Sequence, residues 1–373
     1  MRAGQQPDGM LLVVGGCWSG MPPEANRTTD LLATVTDAAD DMQLFWEAFP
    51  AADGRTIYMF SYSDADISRP SFAELLDTYC RLLPIYQGVP LEQLQPRRIL
   101  MGGFPCYARA PLRPSWDRVL QIGDAGAGQS PLSFGGFGST VRHLPRLAVG
   151  VSEALQEDRL SRVDLALLTP YQPSLSAAWL LQRAMAVRPG ELAVASPGQQ
   201  QQQQQRHQQQ GGDQQTAQQQ ADLQQQQQQQ HLQPRLGGGW LPPDQINRLL
   251  RCNFTVLRAL GAWVLRPFLT DTFQALPLAL TMMGMSLVDP MCVLRSMRQV
   301  GPGLVLSWVR HFFALTLFTL AHAVVQPLVH AVPLLRRSWR MRRWLDAWRW
   351  GAGLDYNHPA ACSAAATTPT ATT

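Results

Sequence analysis

The chain has 373 residues, of which 46% are hydrophobic and 16% are charged, and its formal net charge is +4. This length allows two or three domains or one large domain, and so small a net charge does not indicate a nucleic-acid-binding protein. The six cysteines have no C-x-x-C spacing, which excludes a zinc ribbon and a dense disulfide scaffold.

The first predicted element is a strand at Met10–Val14, followed by the glycine-rich run Gly15–Gly20. The glycine spacing is not G-x-G-x-x-G, and Pro22 and Pro23 would interrupt the helix that a dinucleotide-binding turn requires. We therefore predict a glycine-rich loop here. The residues before this strand lack the charged, apolar and cleavage segments of a secretory signal.

Several elements follow with clear local signals. Met42–Phe49 and Arg55–Ser63 are apolar runs joined by a short segment containing Asp-Gly, which is typical of a hairpin. Ser71–Glu74 forms a capping-box pattern, and the helix it opens should continue to about Tyr86. A further strand is predicted at Arg98–Tyr107.

The next predicted pair is a short buried strand at Arg118–Ile122 and a helix that begins at Ser139 or Thr140 and runs to about Glu157. Pro145 should kink this helix or shift its start. Strands and helices in this order predict a mixed fold of the α/β or α+β class for residues 1–198.

Gly123 and Asp124 end the predicted strand at Arg118–Ile122. A carboxylate at the carboxyl edge of an open sheet is positioned to accept hydrogen bonds from ribityl or ribose hydroxyls. The glycines at 135–138 would let the backbone approach a flat ring, and the helix that follows would direct its positive end towards that ring. The alternative is a glycine-rich turn in which Asp124 caps the helix.

The second half of the chain differs in composition. Residues 199–233 contain 23 Gln in 35 positions, which predicts a disordered insertion because such a segment buries too little apolar surface to fold. Residues 234–357 read as apolar helices rich in Arg and Trp, and 358–373 as a disordered tail.

Two stretches of this helical region suggest contact with a membrane. Residues 312–332 are long and apolar enough for a transmembrane helix, although Pro327 and two histidines interrupt them. Residues 334–350 combine Arg with Trp on a helix pattern that suits an anionic bilayer surface. We favour association of 312–350 with the surface over a packed cap or a true span.

Five segments together resemble the CruA/CruP type of lycopene cyclase, a branch of the flavoproteins with a p-hydroxybenzoate-hydroxylase-like fold. They read LFWEAFP (Leu44–Pro50), TIYMFSYSDAD (Thr56–Asp66), LQIGDAGAGQSPLSFGGFG (Leu120–Gly138), RHLPRLAVGVSEAL (Arg142–Leu155) and WRWGAGLDY (Trp348–Tyr356). The similarity covers most of 10–198 and 240–357.

This resemblance implies an FAD-dependent protein that acts on a carotenoid at a plastid membrane. It further implies that the flavin is held by the motif residues Gly123, Asp124, Pro131, Gly135, Gly136 and Gly138. The G-x-G-x-x-G unit for the ADP half of FAD is not among the segments here, so the similarity is to the carboxyl-terminal portion of the family. A carotenoid oxidoreductase and a non-catalytic binding or structural protein remain the alternatives.

Cyclisation of a lycopene end requires a protonated acid in apolar surroundings, where burial raises the pKa. Glu47 lies between Phe45, Trp46 and Phe49, and the resemblance implies that it corresponds to the acidic residue of other lycopene cyclases. Alternation along a strand would equally well place Glu47 on a solvent face.

Four further polar residues are candidates for roles near this site. Asp64 and Asp66 are weaker candidates for a second acid and fit a turn better. Arg142 and His143 offer a cation for the flavin edge or, more simply, a solvated helix face.

Overall fold

The computed structural model describes residues 5–52, 54–64, 69–133, 136–193 and 239–357. Its sheet has five strands in the order β2-β3-β4-β1-β5, and every neighbouring pair is antiparallel. The strands are β1 (Gly9–Ser19), β2 (Asp30–Ala33), β3 (Phe45–Ala51), β4 (Gly54–Ser63) and β5 (Gln95–Cys106). The hairpin predicted from the sequence is formed by β3 and β4, and the strand predicted at Arg98–Tyr107 is β5.

Strand β1 extends further than its sequence suggested. The predicted glycine-rich loop is wrong, because Gly15 and Gly16 continue the strand and pair with both β4 and β5. Side-chain atoms at these two positions would collide with neighbouring strands: a Cβ on Gly16 would lie 2.7 Å from the carbonyl oxygen of Arg98, and one on Gly15 would meet Tyr58. These glycines therefore make room for close packing within the sheet.

One face of the sheet is covered by α1 (Phe72–Gln87). Its capping box is present as predicted, with Ser71 and Glu74 bonded reciprocally. Tyr79 of α1 stacks against Trp46 at 5.4 Å between ring centroids, and both residues are fully buried. This layer buries the apolar side chains that point to that face of β1, β3 and β4.

The remaining helices of the described residues are α2 (Gly136–Gln156), α3 (Arg162–Leu165), α4 (Pro173–Ala184), α5 (Gln245–Leu260), α6 (Ala262–Leu269), α7 (Ala275–Val288), α8 (Pro290–Val300), α9 (Pro302–Ala331), α10 (Pro333–Arg337) and α11 (Trp339–Gly351). Some of them pack against the opposite face of the sheet. Phe45 and Tyr62 of the sheet share a core cluster with Trp179 of α4 and Ile246 of α5. The mixed α+β class is thus confirmed.

The strand predicted at Arg118–Ile122 does not form. Val119 and Ile122 are 39% and 48% exposed, and the backbone N–H of Arg118 donates to the carbonyl of Leu160 in a neighbouring loop. Gly123–Gly126 forms a 3₁₀ turn, so Asp124 does not lie at the carboxyl edge of a parallel sheet. A short apolar run has the same pattern in an irregular segment as in a strand.

Helix α2 begins at Gly136, three residues before Ser139, and continues through Pro145. The predicted start at Ser139 or Thr140 is therefore wrong. The hydroxyl of Ser139 donates to the carbonyl of Gly128 at 2.8 Å, so this side chain ties the helix to the glycine turn instead of capping it.

Residues 239–357 are mainly helical, as predicted for 234–357. The Gln-rich segment and the tail from residue 358 lie outside the described residues. Helix α9 has 30 residues, and by length and composition it could cross a membrane; only 11% of its most apolar 18-residue window is buried. Helices α7 and α8 pass the same test as a pair bent by 115°.

Candidate functional site

Glu47 lies on β3 directly opposite Tyr58 of β4. Alternation along β3 places Glu47 on the same face as Phe45 and Phe49, towards the helical half. Trp46 points to the other face, where it packs on α1. Of the three aromatic residues expected around Glu47, Phe45 and Phe49 therefore share its face and Trp46 does not. Tyr58 completes the aromatic surroundings from the adjacent strand.

The carboxyl group of Glu47 is held in a weakly polar environment. Burial is the main cause that raises its pKa to about 7, and the negative charge of Asp271 raises it further. Such a group is substantially protonated near neutral pH, as a proton donor must be. The alternative of a solvent-facing strand glutamate does not describe this residue, because its side chain is turned towards the helical half and is only partly exposed.

Asp271 reaches the same region from the short connection between α6 and α7. Its backbone has a φ of +53°, a left-handed conformation that Asp tolerates better than most residues. Its carboxylate accepts hydrogen bonds from Ser130 Oγ at 2.9 Å and from Ser133 Oγ. Burial raises the pKa of Asp271 to about 6, while the two serine hydroxyls and Arg142 act in the opposite direction.

Tyr62 connects the sheet to the segment that contains these serines. Its ring is fully buried and packs edge-on against Phe45, with 5.1 Å between centroids. Its hydroxyl donates to the carbonyl of Leu132. The segment 130–133, which includes Pro131, is therefore hydrogen-bonded both to Tyr62 of β4 and to Asp271.

These residues assemble two carboxyl groups on a surface rich in aromatic rings. The charge of Asp271 opposes ionisation of Glu47 and adds to the effect of burial, so Glu47 is partly protonated near neutral pH. A neutral acid in such surroundings can protonate an alkene or another weakly basic group. The π faces of nearby rings stabilise positive charge, so the arrangement suits chemistry that develops a cation.

The glycine turn lies beside a separate, more polar cleft of about 30 Å³ that is bounded by Gly123, Gly126 and Gly128. Two of these glycines are required by the turn itself. A Cβ on Gly126 would lie 2.9 Å from the carbonyl oxygen of Gln121, and one on Gly123 would lie 3.0 Å from Thr140 Oγ1. Close contacts within the chain thus explain why Gly123 and Gly126 are glycines, and no bound flavin ring is needed to explain them.

Other motif residues are more open. Asp124 is exposed on its 3₁₀ turn, where its carboxylate is accessible to hydroxyl groups of a ligand. Gly136 is the first residue of α2, and a Cβ on Gly138 would meet no atom within 4 Å. Gly135 lies outside the described residues. The backbone of the first turn of α2 near Gly138 is therefore approachable, whereas the cleft behind it is too small for a flavin ring.

Arg142 and His143 do not form a solvated helix face. Arg142 makes a two-pronged ion pair with Asp355, with 2.7 Å between Nε and Oδ2. His143 is 5% exposed, and burial followed by the charges of Arg142 and Arg146 places its pKa well below the usual range. Gln172 lies near His143, but no well-aligned hydrogen bond joins the two side chains.

Asp64, the weaker candidate for a second acid, is paired with Arg69 at 2.8 Å, which fits the turn interpretation. Asp66 lies outside the described residues. The acid that does accompany Glu47 is Asp271, which the sequence analysis missed. One signal was available, because Asp271 is the only acidic residue between Asp244 and Asp289 in an otherwise apolar stretch.

No protein-family model matches the chain, and no curated protein is significantly similar to it. The geometry of the site therefore carries the argument for function, together with the motif resemblance described above.

Proposed function

We propose that this protein acts on a carotenoid or a similar long polyene at a membrane, by acid catalysis at Glu47. The observation that carries the proposal is the placement of Glu47 and Asp271 at the aromatic face of the sheet, where burial raises the pKa of Glu47 to about 7 and that of Asp271 to about 6. The resemblance to lycopene cyclases adds the substrate class, closure of an end ring as the reaction, and a plastid membrane as the location.

The roles follow from the environment of each group. Glu47 would donate the proton to a terminal double bond of the polyene. Tyr58 and Phe45, on the same face, would present π surfaces to the cation that results. Asp271, held by Ser130 and Ser133, would keep Glu47 protonated before the reaction and be available to accept a proton afterwards.

FAD is proposed as the cofactor on the strength of the motif resemblance. The residues fit it in part: Asp124 is exposed for contact with ribityl hydroxyls, and the first turn of α2 is open at Gly138. When bound and reduced, a flavin would supply negative charge that stabilises a cation. The cleft of about 30 Å³ at the glycine turn does not accommodate its ring without rearrangement.

The membrane part of the proposal is supported by α9 and its neighbours. Along one side of α9, Phe313, Leu317, Leu320, Val324 and Leu328 are each more than half exposed. Such a continuous apolar face is unusual on a surface that only contacts water. A polyene is nearly insoluble in water, so an enzyme for it benefits from contact with the bilayer.

The test expresses the protein in cells that accumulate lycopene and separates the carotenoid products by chromatography. We expect wild type to form products with closed end rings, and Glu47→Gln, which keeps the shape but not the proton, to form at least about 100-fold less. Glu92→Gln changes an exposed glutamate in the same way and should match wild type. Flavin absorbance of the desalted proteins reports cofactor content independently.

Each outcome decides one part of the proposal. Equal cyclisation by wild type and Glu47→Gln would remove Glu47 from the mechanism. Absence of flavin from an active wild-type protein would remove the cofactor, and a lack of altered carotenoid from a well-folded wild type would remove the catalytic proposal altogether.

A second candidate is a carotenoid-binding or structural protein without a cofactor. The close contacts at Gly123 and Gly126 favour it, because the packing of the chain already accounts for these two glycines without a cofactor. In the same cells, this candidate predicts unmodified lycopene bound to the purified protein and no flavin absorbance.

A further inference from the structure

A cavity lies within the helical half, lined by other residues than those at the glycine turn. Side chains from α4 to α9 surround it, and the volume that the centre of a water molecule can reach is about 110 Å³. Its wall includes α7 residues from Pro277 to Met285 and, before them, Gln274. These positions extend along most of α7, so this helix forms one whole wall of the cavity.

The wall of the cavity is almost entirely apolar, with residues such as Leu181, Leu257, Phe268 and Trp308. Five uncharged polar side chains also reach it: Asn253, Thr272, Gln274, Thr281 and Ser296. No charged side chain among the described residues lines it. An apolar space of this kind fits a hydrocarbon ligand better than a polar molecule.

Four of the five polar side chains already have partners. The amide of Gln274 donates to the carbonyl of Gly353 at 2.8 Å, and Thr281 donates to that of Pro277 at 2.8 Å. Thr272 donates to the carbonyl of Thr270 at 3.3 Å, and Ser296 accepts from the Gln245 amide at 3.2 Å. Their hydrogen-bonding capacity is largely used in holding the helices together.

Asn253 is the exception. Its residue is 2% exposed, and its Nδ2 group has no hydrogen-bond acceptor among the described residues. Its side chain lines the cavity where α5 packs on α7, since the neighbouring Cys252 Sγ contacts the carbonyl of Met285 at 3.7 Å. A buried amide without a partner is uncommon in a folded protein, and in a cavity wall it offers a contact for a ligand.

We propose that this cavity binds a hydrocarbon chain that ends in a hydroxyl or carbonyl oxygen, with Asn253 hydrogen-bonded to that oxygen. A carboxylate end is disfavoured because no cation lines the wall to offset its burial. Exposed apolar residues on the adjoining helices α7 and α9, such as Met283 and Leu306, place the cavity beside a surface suited to lipid. The proposal does not depend on catalysis at Glu47.

The chain could come from an acyl lipid or from an isoprenoid, and the test separates the two. Retinol serves as a fluorescent isoprenoid alcohol, and oleyl alcohol competes with it as the acyl counterpart. Titration of the full chain should show one saturable retinol site. Displacement of retinol by oleyl alcohol at similar concentration would indicate that both chain types fit, and failure to displace would restrict the site to isoprenoids.

Two variants test the position of the site. Asn253→Leu has nearly the same shape without the amide, and should weaken retinol binding by roughly 3- to 10-fold while leaving a retinoid hydrocarbon that lacks the hydroxyl unaffected. Leu257→Trp should fill the cavity and abolish both. The matched control is Leu287→Trp, at a residue that is 82% exposed, which should bind like wild type.

Before each titration, circular dichroism is used to check that the variant is folded. Unchanged retinol affinity in folded Asn253→Leu would overturn the role of the amide. Unchanged binding in folded Leu257→Trp, or binding that rises without saturation, would overturn the cavity as the site.

Discussion

Two carboxyl groups dominate the electrostatics of the candidate site. The pKa of Glu47 is raised from 4.5 to about 7, first by burial and then by the charge of Asp271. The folded protein therefore holds a proton on Glu47 over a pH range in which the unfolded chain has released it. The folded state binds more protons in this range, and its stability must fall as the pH rises.

This linkage predicts how Glu47→Gln changes the pH dependence of stability. The contribution of protonated Glu47 to the free energy of unfolding is fully present below about pH 4.5, decreases as the pH rises towards 7, and is lost above pH 7. We expect the free energy of unfolding of wild type to fall relative to Glu47→Gln by on the order of 3 kcal/mol across this range. Urea unfolding of both proteins at pH 5, 6, 7 and 8 measures the difference.

The control for this measurement is Glu92→Gln, since Glu92 is exposed on a 3₁₀ turn. Its stability should follow wild type at every pH. If the free energy of unfolding depended on pH in the same way for wild type and Glu47→Gln, the environment of Glu47 would not disfavour its charged form.

At the scale of elements, ion pairs as well as apolar packing hold the helix α11 against α2. Its buried side is made by Trp339, Arg343 and Ala347. Arg343 is 6% exposed at its side chain and lies 3.6 Å from Glu153 of α2 and 3.1 Å from Asp346. Because a buried guanidinium is costly without a counter-charge, these carboxylates hold the helix in position.

The prediction at this scale concerns Glu153, which also pairs with Arg342 at 3.1 Å. Glu153→Gln removes the counter-charge between the helices while Asp346 remains, and should lower the free energy of unfolding by about 2 kcal/mol. Chemical denaturation at neutral pH measures this loss.

A matched variant is Glu157→Gln. Glu157 lies 3.5 Å from Arg159, and both side chains are more than 40% exposed, so the loss of that pair should cost less than about 0.5 kcal/mol. Equal effects of the two variants would show that α11 is held by apolar packing alone.

At the scale of the whole molecule, helix α4 connects the sheet to α9: Trp179 of α4 shares a core cluster with the sheet, and α4 also packs on α9. Helix α9 packs on α4 and α11, with Trp308 donating to the carbonyl of Ala177 at 2.9 Å. Its other side carries the exposed apolar residues, and Arg336, Arg337 and Arg340 follow it in the sequence. Apolar and basic surfaces side by side suit an anionic bilayer.

The expected result is that the full chain floats with anionic phospholipid vesicles in a density gradient. The double variant Leu317→Asp and Val324→Asp should reduce the bound fraction at least about tenfold, because both side chains are more than 60% exposed and their change leaves the core intact. Val163→Asp, at a valine that is 67% exposed on α3, is the control and should bind as wild type does.

Alkaline carbonate then distinguishes two modes of membrane binding. Surface association predicts release from the vesicles, whereas retention would indicate a helix that spans the bilayer. A double variant that binds as well as wild type would exclude the α9 face as the contact.

Local signals were sufficient for much of the secondary structure. The Ser71–Glu74 box, the Asp-Gly hairpin and the apolar repeats of residues 239–357 depend on neighbours a few positions apart, so their predictions were confirmed. The strand predicted at Arg118–Ile122 was wrong because a five-residue segment with three apolar residues is too short for its periodicity to separate a strand from a loop. Gly15 and Gly16 were misread because their role depends on Tyr58 and Arg98, which are distant in sequence.

The candidate site shows the same division. The sequence by itself determined that Glu47 lies among aromatic residues on a strand, since β3 alternation is a local property. Only the tertiary structure decided that Asp271, 224 positions later in the numbering of the chain, acts on Glu47, and which face of β3 packs on α1. The reason is that burial and charge act through space, and the packing of the helices on the sheet sets which residues become neighbours.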